Sequence, residues 1–504
     1  MKTQFILSIL CAGGLLVAPA SAADPVEVRV DLAHPKIPAQ KQYKTYLKVG
    51  LVGLQQKEKP ARPPVNVTIV LDRSGSMSGP KMEHARQAAV EALQRLGGDD
   101  IVSVVTFDDG AESVVPATKM TNRDDIVAAI QKITPRGRTA LFAGVSRAAE
   151  ELRKFKTPQM VNRIVLLSDG MANIGPSSAD EMGRYGVSLA KESISVTTLG
   201  LGLDYNEKLL AQLAQHSDGN HAFIKEPGEL AAVFTEEFGD ILSVVAQEMQ
   251  VKITCPEGVR PVRVLGRDAS IRGSTVEVAM NQLRAGQEKY VLLEVDVPAG
   301  TGSVPQLIGD VEVSYRRNDA SAPKQVVAHS LATRVTDDRA VEFSASTPIL
   351  VEVAKQIGVE KQMIAVKLTD EGKTKEAEKV FLENAGTLQM LGQKYRSPDL
   401  YIQGNANVTL GLNTTSSSWQ TYRNAGQTMA NLTMTQNGSA NNASNVNDLN
   451  GGQAVNVPSL ENMFNRPSQP SELNIKLGAP PATIIMSMPQ SSSGTIILKS
   501  SGGR

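Results

Sequence analysis

The sequence predicts an α/β protein: a doubly wound, mainly parallel sheet carried in or flanked by a β-sandwich, then a helical hairpin and a low-complexity tail. Three observations predict it. Strand and helix patterns alternate from residue 65 to 246, as they do when helices cover both faces of a parallel sheet. Strand patterns alone fill 247–336, and two more stand apart at 26–54. From residue 398 only nine of 107 residues are charged, with Asn, Ser, Thr, Gln and Gly dominant.

The first 22 residues carry a positive start at Lys2, an apolar run from Phe5 to Val17 and the small-residue triplet Ala20-Ser21-Ala22. That is the pattern of a secretory signal, too short to span a bilayer comfortably. Cys11 does not read as a lipidation site, because Leu10 is large and the apolar run continues past it. Export places the chain in a Gram-negative periplasm or at the cell surface. With residues 1–22 removed, Cys255 is the one remaining cysteine, so no intramolecular disulfide can form. No other apolar run reaches the length of a transmembrane helix.

Residues 23–61 hold two strands. Val26-Glu27-Val28-Arg29-Val30-Asp31-Leu32 alternates apolar and polar, the mark of a half-buried strand, and 42–51 does so more weakly. Two strands cannot make a stable sheet alone. They are expected to join the sandwich, which makes 62–246 an insertion in it. Within 62–246, strands are expected at 65–71, 100–107, 161–168, 194–201 and 220–225, with an edge strand near 111–117. Helices are expected at 80–96, 122–133, 139–156, 178–192, 206–215 and 227–246. Runs such as Tyr290-Val291-Leu292-Leu293-Glu294-Val295-Asp296-Val297 predict the sandwich over 247–338. Residues 339–397 read as two helices turning at Gly372. Residues 398–504 read as a largely disordered tail, broken by two β-prone runs, 482–486 and 495–498, that could add to a sheet edge.

Charge and composition exclude some functions. Fifty-two basic residues balance 52 acidic ones, and aromatics are 4% with the single Trp419. Neither a basic patch nor a stacking platform for nucleic acid follows.

The chemistry concentrates in Leu71-Asp72-Arg73-Ser74-Gly75-Ser76, between a β-branched run and a helical pattern. An Asp and two Ser at alternate positions set three oxygens on one side of a turn, a grouping suited to a hard divalent cation. Thr139 stands just before a helix, and Asp169 ends the run Ile164-Val165-Leu166-Leu167-Ser168-Asp169. Both fall where a parallel sheet ends its strands, the edge at which α/β folds place ligands.

This pattern resembles the von Willebrand factor A (VWA) domain and its metal-ion-dependent adhesion site, an Asp-x-Ser-x-Ser followed by a Thr and an Asp. The resemblance covers roughly 62–246. More loosely, to about 338, the chain is similar to bacterial exported proteins and inter-alpha-trypsin inhibitor heavy chains, which join this domain to a β-sandwich. It implies a Rossmann-like fold, a site of Asp72, Ser74, Ser76, Thr139 and Asp169, and Mg²⁺ (or Mn²⁺ or Ca²⁺) as the ion. It also implies a protein partner that presents an acidic residue to the metal. Arg138 stands where many members have a small residue.

Arg73, Arg136 and Arg138 lie beside these ligands. They are expected either to form a basic rim that greets an acidic partner or to pair with Asp108 and Asp109. Other candidates fall away. His84 lies on a helix, His216 and His221 flank a turn, Ser146 sits inside a helix, and Cys255 fits a small core position. No general base stands near the proposed cation, so the expectation is a binding module and not an enzyme. Two alternatives stay open: a scaffold whose metal only stabilises the domain, and a metal-dependent hydrolase.

Overall fold

The computed structural model describes residues 24–55, 62–301, 305–317 and 323–436, together with the backbone of three short strands further on. The proposed signal segment 1–22 lies outside the described residues. In chain order the first strands are β1 (Val26–Leu32), β2 (Lys36–Pro38) and β3 (Tyr43–Gly53). The α/β unit follows as β4 (Val65–Asp72), α1 (Pro80–Leu93), β5 (Ile101–Phe107), β6 (Ala111–Lys119), α2 (Arg123–Gln131), α3 (Leu141–Arg153) and β7 (Val161–Ser168). It continues as α4 (Ala179–Lys191), β8 (Ile194–Leu201), α5 (Glu207–His216), β9 (His221–Ile224) and α6 (Leu230–Leu242).

The six strands lie in the order β6-β5-β4-β7-β8-β9, parallel except for β6. β4, β5, β7 and β8 are buried along their whole length, which is why they read as unbroken apolar runs and not as alternation. Chain order reverses at β4, whose neighbours are β5 on one side and β7 on the other. That reversal opens a crevice outside the carboxyl ends of β4 and β7, the position where such sheets hold ligands.

The sandwich comprises β10 (Val244–Thr254), β11 (Arg260–Leu265), β12 (Ser270–Arg272), β13 (Thr275–Arg284), β14 (Glu288–Val297), β15 (Gln306–Arg317) and β16 (Lys324–Val335). One sheet runs β1-β3-β14-β11 and the other β12-β13-β10-β15-β16-β2. β3 pairs with β14 over ten residues, from Val52–Glu288 to Tyr43–Val297. The α/β unit is therefore inserted between strands of one sandwich. The apolar stretch that reads as helix to 246 ends at Leu242 instead, and β10 begins at Val244. Val244-Val245-Ala246 suits either period, and pairing with β13 decides it.

After α7 (Asp338–Phe343) come four long helices: α8 (Thr347–Asp370), α9 (Thr374–Tyr395), α10 (Pro398–Leu412) and α11 (Trp419–Thr435). The expectation of a disordered tail from 398 is wrong for 398–436. α10 and α11 pack on α8, α9, α5 and β9, burying Leu400, Leu410, Ala425 and Met434. Their buried stripe is mostly amide, glycine and alanine, so hydrophobic periodicity does not announce it. Beyond Gln436 the described backbone shows strands Leu473–Asn474, Ile485–Ser487 and Ile497–Lys499, paired with one another and not with an existing sheet edge. Among the described residues no helix is long and apolar enough to cross a membrane.

Candidate metal centre

β4 delivers Asp72 to the crevice at the carboxyl end of the sheet. The carboxylate bends the chain after it by accepting from Ser74 N–H at 2.8 Å, the Asx turn that such a residue favours. Met77, fully buried, anchors the single turn of 3₁₀ helix that follows. Two backbone bonds, Arg136 N–H to Arg73 O at 2.6 Å and Gly75 N–H to Gly137 O at 3.1 Å, tie this loop to the one before α3. Thr139 is fixed by a reciprocal pair with Asn173: its N–H donates to Asn173 Oδ1 at 2.9 Å, and its carbonyl accepts from Asn173 N–H at 3.1 Å.

Asp72, Ser74, Ser76 and Asp169 are linked by hydrogen bonds, and Thr139 stands beside them. Ser168 Oγ donates to Asp72 Oδ2 at 2.6 Å. Ser74 Oγ and Ser76 Oγ lie 3.0 Å apart, and Ser76 Oγ donates to Asp169 Oδ1 at 2.7 Å. Thr139 joins across Gly170: a Cβ built there would fall 3.3 Å from Thr139 Oγ1 and 3.4 Å from Ser76 Oγ. Asp72, Ser74, Ser76, Thr139 and Asp169, distant in sequence, thus meet in one place. Asp72, Ser74, Thr139 and Asp169 are buried.

Burial sets the electrostatics. It pushes the Asp72 carboxyl up to about 6, against the hydrogen bonds from Ser168 and Ser74, and the charge of Asp169 adds to the rise. Lys81, in the first turn of α1, places its ammonium 2.5 Å from Asp169 Oδ2. Three hydroxyls and two carboxylates are hard oxygen donors, the chemistry that Mg²⁺, Mn²⁺ and Ca²⁺ take. The gap held open by Gly170 suits such a group. Among the described residues no group of three or more His, Cys, Asp or Glu could hold a metal, so a cation here depends on the hydroxyls.

The arginines do not form a free cationic rim. Arg73 donates to Asp108 at 2.9 Å and to Glu112 at 2.9 Å. Arg136 donates to Asp108 at 2.8 Å, and Arg138 to Asp109 at 2.8 Å. Three guanidiniums meet three carboxylates, and Arg73 is itself buried. Burial alone would raise the Asp108 carboxyl, but Arg136 and Arg73 hold it below its ordinary value. The adjacency of Asp108 and Asp109 to a strand end was the sequence signal for this pairing.

Four residues of the site were not singled out from sequence: Lys81, Ser168, Gly170 and Asn173. Ser168 and Gly170 flank Asp169 and so were open to inspection. Lys81 and Asn173 act through loop geometry, which spacing does not reveal. His216 hydrogen-bonds Asp268 at 2.5 Å through Nδ1, and His221 Nδ1 meets Thr198 Oγ1 at 2.9 Å. Neither pair is part of the cluster. Cys255 is a buried core residue, its thiol pushed up to about 11 by burial.

Residues 66–236 match the family model of the von Willebrand factor type A domain. An uncharacterized protein of Synechocystis sp. is 27% identical over 311 residues, which span 60% of this chain and 72% of that protein. Inter-alpha-trypsin inhibitor heavy chain H3 of Rattus norvegicus is 29% identical over 171 residues, 32% of this chain and 19% of that one. Among solved structures, a von Willebrand factor type A protein from Catenulispora acidiphila superposes with a TM-score of 0.59 at 18% identity, covering 81% of this chain and 91% of its own. That last likeness is one of fold, and it extends well beyond residues 66–236.

Proposed function

Since residues 66–236 form a von Willebrand factor type A domain, we propose that this chain is an exported, divalent-cation-dependent protein-binding module of the bacterial envelope. One observation carries the reading: five oxygen-bearing side chains from three separate loops converge at the switch point of the sheet, Asp72, Ser74, Ser76 and Asp169 linked by hydrogen bonds and Thr139 facing them across Gly170. Ser74, Ser76 and Thr139 would hold the ion through neutral hydroxyls, with Asp72 and Asp169 providing the negative charge. When bound, the cation supplies an electrophilic point on which a partner's carboxylate can close. The chain's own part is to hold the oxygens in place. Ser168 and the Ser74 amide grip Asp72, Asn173 grips the Thr139 backbone, and the two carboxylates are shielded from water by burial.

Binding fits this arrangement better than hydrolysis. The ionisable groups in the cluster, Asp72, Asp169 and Lys81, are all engaged in hydrogen bonds or an ion pair, which leaves none poised to take a proton from water. Export rests on the pattern of residues 1–22, and a periplasmic or surface location follows from it. Calorimetry with Mg²⁺ and Mn²⁺ tests the site: wild type should bind one ion with Kd on the order of 10⁻⁴ to 10⁻³ M, and Asp72→Ala should not. Equal binding by both would refute the assignment. A pull-down from envelope extract, with and without EDTA, tests the partner reading. Capture that survives EDTA would favour the scaffold alternative, for which the many polar contacts between the α/β unit, the sandwich and the helices speak.

A further inference from the structure

Asp169 has a side chain with no exposure to water, so its charge needs a partner from within the molecule. The chain supplies one for each oxygen. Ser76 Oγ donates to Oδ1 at 2.7 Å, and the Lys81 ammonium sits 2.5 Å from Oδ2. Lys81 occupies an odd place for a cation. It is the second residue of α1, where the helix dipole disfavours positive charge and Glu83 is the acid of the same turn. The helix does not account for it, and the ion pair with Asp169 does.

A divalent ion held by Ser74, Ser76, Thr139 and the two carboxylates would have to draw on the same Asp169. Two cations that share one buried carboxylate repel at short range in a medium of low dielectric. The Lys81 side chain retains 31% exposure, and its flexible stem gives the ammonium a route to water. We propose that Lys81 is an intramolecular competitor for the divalent cation. It neutralises Asp169 in the cation-free protein and swings out to solvent when the ion enters. This inference rests on the cation reading above and adds a control to it: the charge of Asp169 is already balanced until the ion displaces a built-in counter-charge. Cation affinity is then set by the ion pair as well as by the ligands, and weak binding in the absence of a partner is a designed property.

The test uses the full chain with MgCl₂ and MnCl₂ as probes. Calorimetry compares wild type with Lys81→Met, Lys81→Gln and Lys81→Arg, and circular dichroism checks that each is folded. Lys81→Met and Lys81→Gln should bind Mg²⁺ about tenfold tighter or more, while Lys81→Arg, which keeps the charge, should stay near wild type. In the cation-free state Lys81→Met should melt at lower temperature, and added Mg²⁺ should raise its Tm more than that of wild type. Adding Asp169→Asn to Lys81→Met should abolish the gain. Equal or weaker Mg²⁺ binding by folded Lys81→Met and Lys81→Gln would overturn the inference and leave the cation reading standing, with Lys81 only positioning Asp169. If folded wild type and all variants bind no ion, the cation reading falls and this inference falls with it.

Discussion

Gly170 holds the site open by having no side chain. A methyl there would press on Thr139 Oγ1 and Ser76 Oγ at 3.3 and 3.4 Å, closer than most carbon contacts but within reach of a small adjustment. Gly170→Ala should therefore weaken Mg²⁺ binding about tenfold while costing less than about 1 kcal/mol in urea unfolding. Unchanged affinity would mean that the hydroxyls do not converge on that space. That Asp72, Ser74, Ser76, Thr139 and Asp169 would come together was legible in the sequence because their order and spacing are fixed by strand ends. Their hydrogen-bonded supports were not, because a Ser or Asn in a loop looks alike whether it faces water or a carboxylate. His221 shows the same limit. It reads as a turn histidine, yet it is fully buried against Thr198 and Tyr205, and burial pushes it down to about 3. Its unfolded value is near 6.5, so as pH falls below 6.5 the unfolded chain takes up a proton that the native state refuses until about 3. The stability contributed by neutral His221 is complete above 6.5 and is lost on acidification, at up to about 1.4 kcal/mol per pH unit. Urea unfolding between pH 7 and pH 4 should show this slope in wild type and a shallower one in His221→Gln.

At the scale of elements, strands and helices of the α/β unit were legible because a buried parallel strand and an amphipathic helix leave opposite periodicities. α10 and α11 were not, because amides do the work that apolar groups do elsewhere. Asn384 donates to Asn407 Oδ1 at 2.9 Å and to Gly358 O at 2.8 Å, and Gln362 donates to Gly426 O at 2.9 Å. Gly404 lets α10 lie against α9, since a Cβ there would come 2.9 Å from Gln389 Cγ. Buried amides of this kind stabilise only when paired, and hydropathy scales count them as surface. α11 then reaches back to the α/β unit. Thr428 Oγ1 accepts from Phe223 N–H at 3.1 Å on the outer edge of β9, and Arg423 pairs with both Glu207 and Asp370. Arg423→Ala should leave Glu207 buried without its cation and cost about 3 kcal/mol in chemical denaturation. A chain ending at Gln436 should keep this packing, while one ending at Ser397 should expose Phe381 and the inner faces of α8 and α9 and precipitate or melt well below it. Equal melting of the two truncations would show that α10 and α11 contribute nothing to the fold.

For the whole molecule, the question is what fixes the inserted α/β unit to the sandwich that carries it. The joint is polar and centres on Asp218, in the turn between α5 and β9. Lys289 of β14 donates to its Oδ2 at 2.7 Å, Arg267 donates to its Oδ1 at 3.0 Å, and Asn281 N–H of β13 gives a third bond at 2.7 Å. Burial alone would raise this carboxyl, but the two cations hold it below its ordinary value. Arg267 extends the joint to the end of α11 through Thr435 O at 2.8 Å and Gln436 Oε1 at 2.9 Å. One aspartate thus touches two units directly and the third through a single arginine. Sequence showed a turn between His216 and His221 and nothing more of Asp218, because its partners lie 49 or more positions away in chain regions of another fold. Lys289 is 1% exposed at its side chain, so removing Asp218 strands a buried ammonium. Asp218→Ala should cost about 3–5 kcal/mol, and the double variant Asp218→Ala, Lys289→Met should recover much of it. If the joint alone aligns the units, the single variant should also unfold in two steps in urea, the α/β unit apart from the sandwich, where wild type unfolds in one. A single transition with unchanged midpoint would place the coupling elsewhere, in the apolar contact that α8–α11 make with the α4 and α5 face of the sheet.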